Sequence, residues 1–133
     1  MVIDTSAAIA ILLQEPDARA FAQAIERDPV RMISSVNWLE TRMVMAGRFG
    51  PQGALLAESF FRESQMELTG LDPMHAQAAY DAWLRFGKGR HPASLNLGDC
   101  CAYATARIEQ QPLLCKGGDF AQTDAAIVDI EQS

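Results

Sequence analysis

Four carboxylates stand where ordinary structure explains them poorly. Asp4 follows directly on the short apolar start "MVI". Glu40 lies in "VNWLETRMVMAGRF", where its helical neighbours are Val36, Met43 and Val44, with Gly47 beyond. Asp99 lies in "SLNLGDCCAYATARI" among Leu97, Cys100, Cys101, Ala102 and Ala104, with Ala102, Tyr103 and Ala106 on its own helix face. Asp119 sits in "KGGDF", where two glycines free the backbone to turn. Each has a plainer use. Asp4 can cap a helix. Glu40 can be an edge residue paired with Arg42 or Arg48. Asp99 can favour the first turn of its helix electrostatically. Asp119 can be a turn aspartate, and Asp124 in the same loop is a second candidate. An acid on an apolar helix face is nevertheless costly to bury without partners.

A fold that gathers these acids at one rim puts three or four carboxylates in one cleft. Their repulsion would be severe without a cation. Carboxylate oxygens are hard ligands that suit magnesium or manganese. The chemistry that follows is phosphodiester hydrolysis, with the ion activating a water and neutralising developing charge. No histidine or lysine base is then required. Only His75 and His91 are present, and His75, beside Ala78 and Ala79, reads as structural. A phosphate backbone would need positive partners. "RFGKGRH" supplies Arg85, Lys88, Arg90 and His91 in what reads as one exposed loop before Asp99, although a solvated loop is the plainer use.

The elements that must position these residues can be read coarsely. "MVI" is a strand that breaks at the capping residues "DTS". "AAIAILLQ" and "EPDARAFAQAIERD" are helices, the second with Ala18, Phe21, Ala22 and Ile25 on one face. "VRMISS" is a strand. "VNWLETRMVMAGRF" is a helix ended by "GPQG", and "ALLAESFFRESQ" is helical again. "MELTGL" is a strand. "DPMHAQAAYDAWLRFG" is a helix with Asp72 as cap and Pro73 at its first position. "KGRHPASLN" is a loop, "LGDCCAYATARIEQ" a helix and "PLLCKG" a strand. "GDFAQTD" is a loop and "AAIVDI" a last strand. Strands alternating with helices predict an α/β domain over 1–133, with a mainly parallel central sheet of four to five strands and helices on both faces. Ligands of such sheets bind at the carboxyl ends of strands, where the strand order switches. "DTS" and "KGGDF" should therefore meet near one rim.

Composition sets the outer limits. The 133 residues carry a formal net charge of −6, with 49% hydrophobic and 21% charged residues. A passive nucleic-acid binder is normally basic. An acidic chain can still act on nucleic acid through metal ions and a local basic patch. The longest apolar run, Ala7 to Leu13, is shorter than the about 20 residues a membrane span needs, and it has no signal-peptide flanks. The expectation is a cytoplasmic protein without a membrane partner. Cys100, Cys101 and Cys115 cannot all pair within the chain and read as reduced, buried residues. A zinc site completed by His91 would lack a C-x-x-C pair. Phosphate-cradling glycine motifs and the deaminase signatures are absent.

"VIDTSA", the glutamate of the third helix, "LNLGDCCAYATA" and "KGGDF" together resemble a PIN domain. More closely they resemble the VapC toxins of bacterial type II toxin–antitoxin modules, over essentially the whole chain. The resemblance implies a PIN-like fold and a magnesium- or manganese-dependent endoribonuclease that cuts RNA, often as a homodimer, and is inhibited by a VapB antitoxin. It implies that the acidic quartet is Asp4, Glu40, Asp99 and Asp119. Asp4 and Asp99 would bind the first ion directly. Glu40 would act through water or help to activate it, and Asp119 would hold a second ion or a bound water. Many relatives carry an acid two residues before Asp119, where this chain has Gly117. Thr5, Ser6 and Asn96 match the hydroxyl and amide groups that support the ligands, although Asn96 can also be a plain helix cap. The antitoxin would lay a helix in an apolar groove and place a basic side chain among the acids. Trp38, Phe60, Phe61 and Trp83 read as core or dimer surface. The rival reading is a PIN-like module that binds RNA or protein without catalysis.

Overall fold

Three of the very short strands of this chain's sheet are buried on both faces, and the edge strand at Glu67–Thr69 is largely exposed. The structure, a computed structural model, describes residues 1–130; the last three residues of the domain expected over 1–133 lie outside the described residues. The strands are β1 (Val2–Ile3), β2 (Met32–Ser34), β3 (Glu67–Thr69) and β4 (Leu113–Leu114). All pair in parallel, in the order β3-β2-β1-β4. Side chains alternate across a strand. Val2, Met32 and Leu113 accordingly enter one core, and Ile3, Ile33 and Leu114 enter the other.

Among the described residues six α-helices cover the two faces: α1 (Thr5–Leu12), α2 (Ala18–Arg27), α3 (Ser35–Phe49), α4 (Pro51–Glu63), α5 (Pro73–Phe86) and α6 (Leu97–Glu109). Helices α1 to α4 contribute Ala7, Phe21, Met45 and Phe61 to the Ile3 core. Helices α5 and α6 contribute Ala82, Phe86, Cys101 and Tyr103 to the Val2 core. The parallel sheet with helices on both faces is the architecture expected from the order of elements. Helix starts are set by local chemistry. Asp72 accepts from the His75 amide at 2.9 Å with Pro73 behind it, and Ser34 accepts from Val36.

Three details differ from the sequence reading. "GPQG" is less a stop than a corner: Gly50 turns at φ +69, Pro51 opens α4, and Gly53 lies inside it. A Cβ on Gly53 would fall 2.0 Å from the Met45 carbonyl oxygen, so glycine lets α3 and α4 touch. "AAIVDI" is not a strand but a single parallel bridge, Leu113 to Ile127, because only Leu113 faces it. Arg85 lies in α5, in line with the helix read over "DPMHAQAAYDAWLRFG" and against its place in the exposed loop "RFGKGRH", and the loop that follows is pinned by a bridge between Gly87 and Leu95. Among the described residues no helix is long and apolar enough to cross a membrane.

The strand order reverses between β1 and β4, since β2 and β3 extend from one side of β1 and β4 pairs with the other. That opens a crevice at the carboxyl ends of β1 and β4. Asp4 is the residue that leaves β1 into it.

Candidate active site

Asp4 is 3% exposed and caps α1. Its Oδ2 accepts from the Ser6 amide at 3.0 Å and from Ser6 Oγ at 2.6 Å. Its Oδ1 is buried with no protein partner. Capping thus uses one oxygen and leaves the other aimed at nothing in the chain, a cost that buried polar atoms rarely carry without a use. Burial pushes the Asp4 carboxyl up to about 6, against the two Ser6 bonds and with added repulsion from Asp99 and Glu40.

Asn96 and Asp99 form a reciprocal cap on α6. Asn96 Oδ1 accepts from the Asp99 amide at 2.9 Å, and Asp99 Oδ2 accepts from the Asn96 amide at 3.1 Å. Burial raises the Asp99 carboxyl above its ordinary range, with the charges of Asp119 and Glu40 adding to the shift. Glu40 Oε1 accepts from Thr5 Oγ1 at 2.6 Å. The pairing of Glu40 with Arg42 is overturned: Arg42 instead reaches Glu58 at 2.5 Å and lies over the Trp38 ring. Thr5, Ser6 and Asn96 therefore each bond a different acid. Asp119 is exposed, starts a short 3₁₀ turn (Phe120–Gln122) and makes no side-chain capping bond.

The other aspartate of that loop is occupied elsewhere. Asp124 accepts from the Tyr103 hydroxyl, from Arg107 at 3.0 Å and from Arg85 at 3.3 Å. Asp119, not Asp124, is the one whose charge reaches Asp99. Gly117 has φ +94, where a side chain is strained, which gives a local reason for glycine at that position. Among the described residues, no three His, Cys, Asp or Glu side chains close on one coordination point. The acids stand as neighbours that feel each other's charge.

Other residues are placed less as expected. Arg85 stacks over Phe86 and pairs with Asp124, so it is not part of an exposed basic loop. Arg90 donates to the Leu84 carbonyl and lies over Trp83, and Lys88 is exposed. His91 accepts from the Ala93 amide and packs edge-on against Phe86. His75 is buried and bonded to Asp72 at 2.7 Å. The cysteines are free. Cys115 lies within reach of the charges of Asp4, Asp99 and Asp119, and burial pushes its thiol up to about 12. Trp38 and Phe61 pack together inside, whereas Trp83 stacks on Tyr80 at a half-exposed surface.

Three residues escape the sequence reading. The Lys116 amide donates to Ser6 Oγ across the crevice, and its ammonium bonds Glu15 and Asp17. A Cβ on Gly98 would stand 2.6 Å from Glu40 Oε1. Asn37 is fully buried one turn before Glu40, and an amide on the apolar face of "VNWLE" is the available signal.

Comparison with known proteins identifies the family. The PIN domain family model matches residues 1–126. The chain is 45% identical over 128 residues to ribonuclease VapC30 of Mycobacterium tuberculosis, covering 96% of this chain and 98% of that one. It is 47% identical over 128 residues to ribonuclease VapC of Mycolicibacterium smegmatis, covering 96% and 99%. The fold is similar to the crystal structure of Mycobacterium tuberculosis VapC20, a sarcin–ricin loop cleaving toxin, with TM-score 0.77 at 18% identity over 96% of this chain and 97% of that one. A parallel sheet of this order, an acid at its switch point and a family match over nearly the whole length lead to one conclusion: the chain belongs to the PIN-domain family and, within it, to the VapC ribonucleases.

Proposed function

We propose that this protein is a divalent-metal-dependent endoribonuclease, using magnesium or manganese, and the toxin of a type II toxin–antitoxin pair. The observation that carries the reading is the unpartnered, buried Oδ1 of Asp4 at the sheet's switch point, under the charges of Asp99 and Glu40. An all-carboxylate donor set fits a hard divalent cation. Such an ion, when bound, supplies an activated water and neutralises charge on the scissile phosphate.

The chain's own residues prepare that site. Asp4 offers Oδ1 while Ser6 fixes its other oxygen. Asp99 is oriented by Asn96, and Glu40 by Thr5. Asp119, without a capping bond of its own, is the adjustable fourth acid. Lys88 and Arg90 are the residues proposed to meet the RNA backbone. Arg85 contributes less, because Asp124 already neutralises it.

Two apolar surfaces support the expected protein partners. A groove of about 420 Å³ lined by Val36, Leu39, Met43, Val44 and Leu97 opens beside Glu40. It suits the apolar helix of a VapB-like antitoxin whose basic side chain reaches the acids. Helix α5 turns Met74, Tyr80, Trp83 and Leu84 to solvent, a face suited to a homodimer. A toxin that cuts RNA would act in the cytoplasm, where that substrate is made.

The test is incubation of the purified protein with single-stranded RNA in magnesium, in manganese and in EDTA. Cleavage is expected with either metal, none with EDTA, and none in folded Asp4→Asn or Asp99→Asn. If no RNA is cut under any of these conditions, the protein is a PIN-like binding module instead.

A further inference from the structure

Each of the three acids nearest the crevice sits on a different element. Asp4 precedes α1, Glu40 is on α3 and Asp99 is on α6. Something must hold those three elements in register, and the buried side chain between them is Asn37. Its Nδ2 donates to the Gly98 carbonyl at 3.1 Å and to Thr5 Oγ1 at 3.0 Å. A carbonyl can only accept, so the Gly98 bond fixes which end of the amide is the donor. The Thr5 hydroxyl, having accepted from Asn37, passes its own proton toward Glu40 Oε1 at 2.6 Å. One amide thus reaches the start of α1, the first turn of α6 and, through Thr5, the carboxylate on its own helix.

Two further observations argue that this is more than packing. Asn37 Oδ1 is buried without a partner. A leucine would fill the same place without that cost, so the two donated bonds are what the position requires. Gly98, which receives one of them, has no room for a side chain: a Cβ would lie 2.6 Å and 3.0 Å from the two oxygens of Glu40. The Asn37 bond and the bare Gly98 surface together press the Glu40 carboxylate against the turn that carries Asp99.

Resting on the nuclease reading above, we infer that Asn37 is a positioning residue of the acidic cleft. It sets Glu40 through Thr5, and Asp99 through the first turn of α6, while Gly98 provides the seat for the Glu40 carboxylate. It touches neither ion nor RNA.

The test measures RNA cleavage and Mn²⁺ affinity by calorimetry in Asn37→Leu, Gly98→Ala and Glu40→Gln, and in the Asn37→Leu/Glu40→Gln double variant. Asn37→Leu is expected to lose about ten- to a hundredfold in cleavage and to bind Mn²⁺ several-fold more weakly, the range for residues that orient metal ligands. In the Glu40→Gln background the same change should cost less, because the part of its effect that runs through Thr5 and Glu40 is already gone. A full, multiplicative loss there would mean a general structural role and would overturn the inference. Gly98→Ala covers the case in which Asn37→Leu does not fold. Alanine favours a helix and its methyl would meet only the far end of the Glu40 side chain, so the fold is expected to survive by displacing that carboxylate, and cleavage and Mn²⁺ affinity should still fall. Unchanged values in folded Asn37→Leu, or in Gly98→Ala, would overturn it. If the unmodified protein cuts no RNA, the nuclease reading fails by itself. The Mn²⁺ titrations then decide the inference alone, and equal affinities reject it.

Discussion

Asp4 and Asp124 are both bonded aspartates, yet they live under opposite electrostatics. Asp124 accepts from Tyr103, Arg107 and Arg85 and is 40% exposed; these partners, the Tyr103 bond foremost, hold its carboxyl below the usual range. Asp4 is nearly inaccessible, is bonded only by Ser6, and faces two further acids, so its carboxyl is held well above that range. One site has its charge balanced within the chain. The other is left open, and a buried charge left open is destabilising unless something from outside completes it. The two regions therefore separate a carboxylate that serves the fold from one that the fold tolerates.

The strongest way to break this contrast is to neutralise each acid in turn. Asp4→Asn and Asp99→Asn should reduce RNA cleavage by at least about 10²–10³-fold, the scale for removing one preorganised electrostatic group. Both variants should melt no lower than the unmodified protein in EDTA, since asparagine at 4 still caps α1 and asparagine at 99 can still accept from the Asn96 amide. Gel-based cleavage assays and thermal melts check both. A melting temperature that collapses in Asp4→Asn would show that the Asp4 charge serves the fold after all.

The next effect is on stability against pH. The folded Asp4 carboxyl titrates at about 6, above the ordinary 3.8. The fold therefore favours the protonated form. That stabilisation is full below 3.8 and is lost as pH rises through about 6, a swing of about 3 kcal/mol as an upper figure. In EDTA the melting temperature should fall between about pH 4 and about pH 6.5, and excess Mn²⁺ should restore most of the loss at the higher pH. Asp4→Asn should flatten the profile in EDTA. Asp124 has the opposite sign, because its lowered carboxyl contributes stability above the ordinary value and loses it as acid is added.

Smaller effects sharpen the other side. Asp124→Asn should cost about 1 kcal/mol, discounted for its exposure, and lower the melting point by a few degrees with cleavage retained. The smallest change belongs to the basic loop. Replacing Lys88 and Arg90 by alanine should flatten the salt dependence of RNA cleavage by about 0.7 in log–log slope for each phosphate no longer neutralised. Arg85→Ala should leave that slope nearly unchanged, since its charge is already spent on Asp124. Equal slopes for all three variants would remove the loop from the RNA path.

Local signals account for most of what could be read from the sequence. Asp4, Asp72 and Asn96 announce helix starts because a cap bonds within three residues. Asp4 and Asp99 stand out because each interrupts an apolar pattern. What stays hidden depends on pairings distant in sequence. Asp119 and Asp124 look alike as loop aspartates, and only the fold brings Tyr103, 21 residues away, and Arg85, 39 away, onto Asp124. Asn37 reads as an unremarkable helix residue until Gly98, 61 positions on, lies against it. Arg85 reads as part of a loop because the glycine that ends α5 comes two residues later. "AAIVDI" has strand composition but only one neighbouring position to pair with.

The loop that carries Asp119 is anchored and loose within four residues. Lys116 is moored by its amide to Ser6 and by its ammonium to Glu15 and Asp17, while Gly117 and Gly118 follow with no side chain to stiffen them. Asp4, Glu40 and Asp99 ride on or beside helices and fix the bore of the cleft, whereas Asp119 hangs on a short leash. On the proposed metal-dependent reading, a change of ionic radius would be met at Asp119, with the other three acids held by their helices.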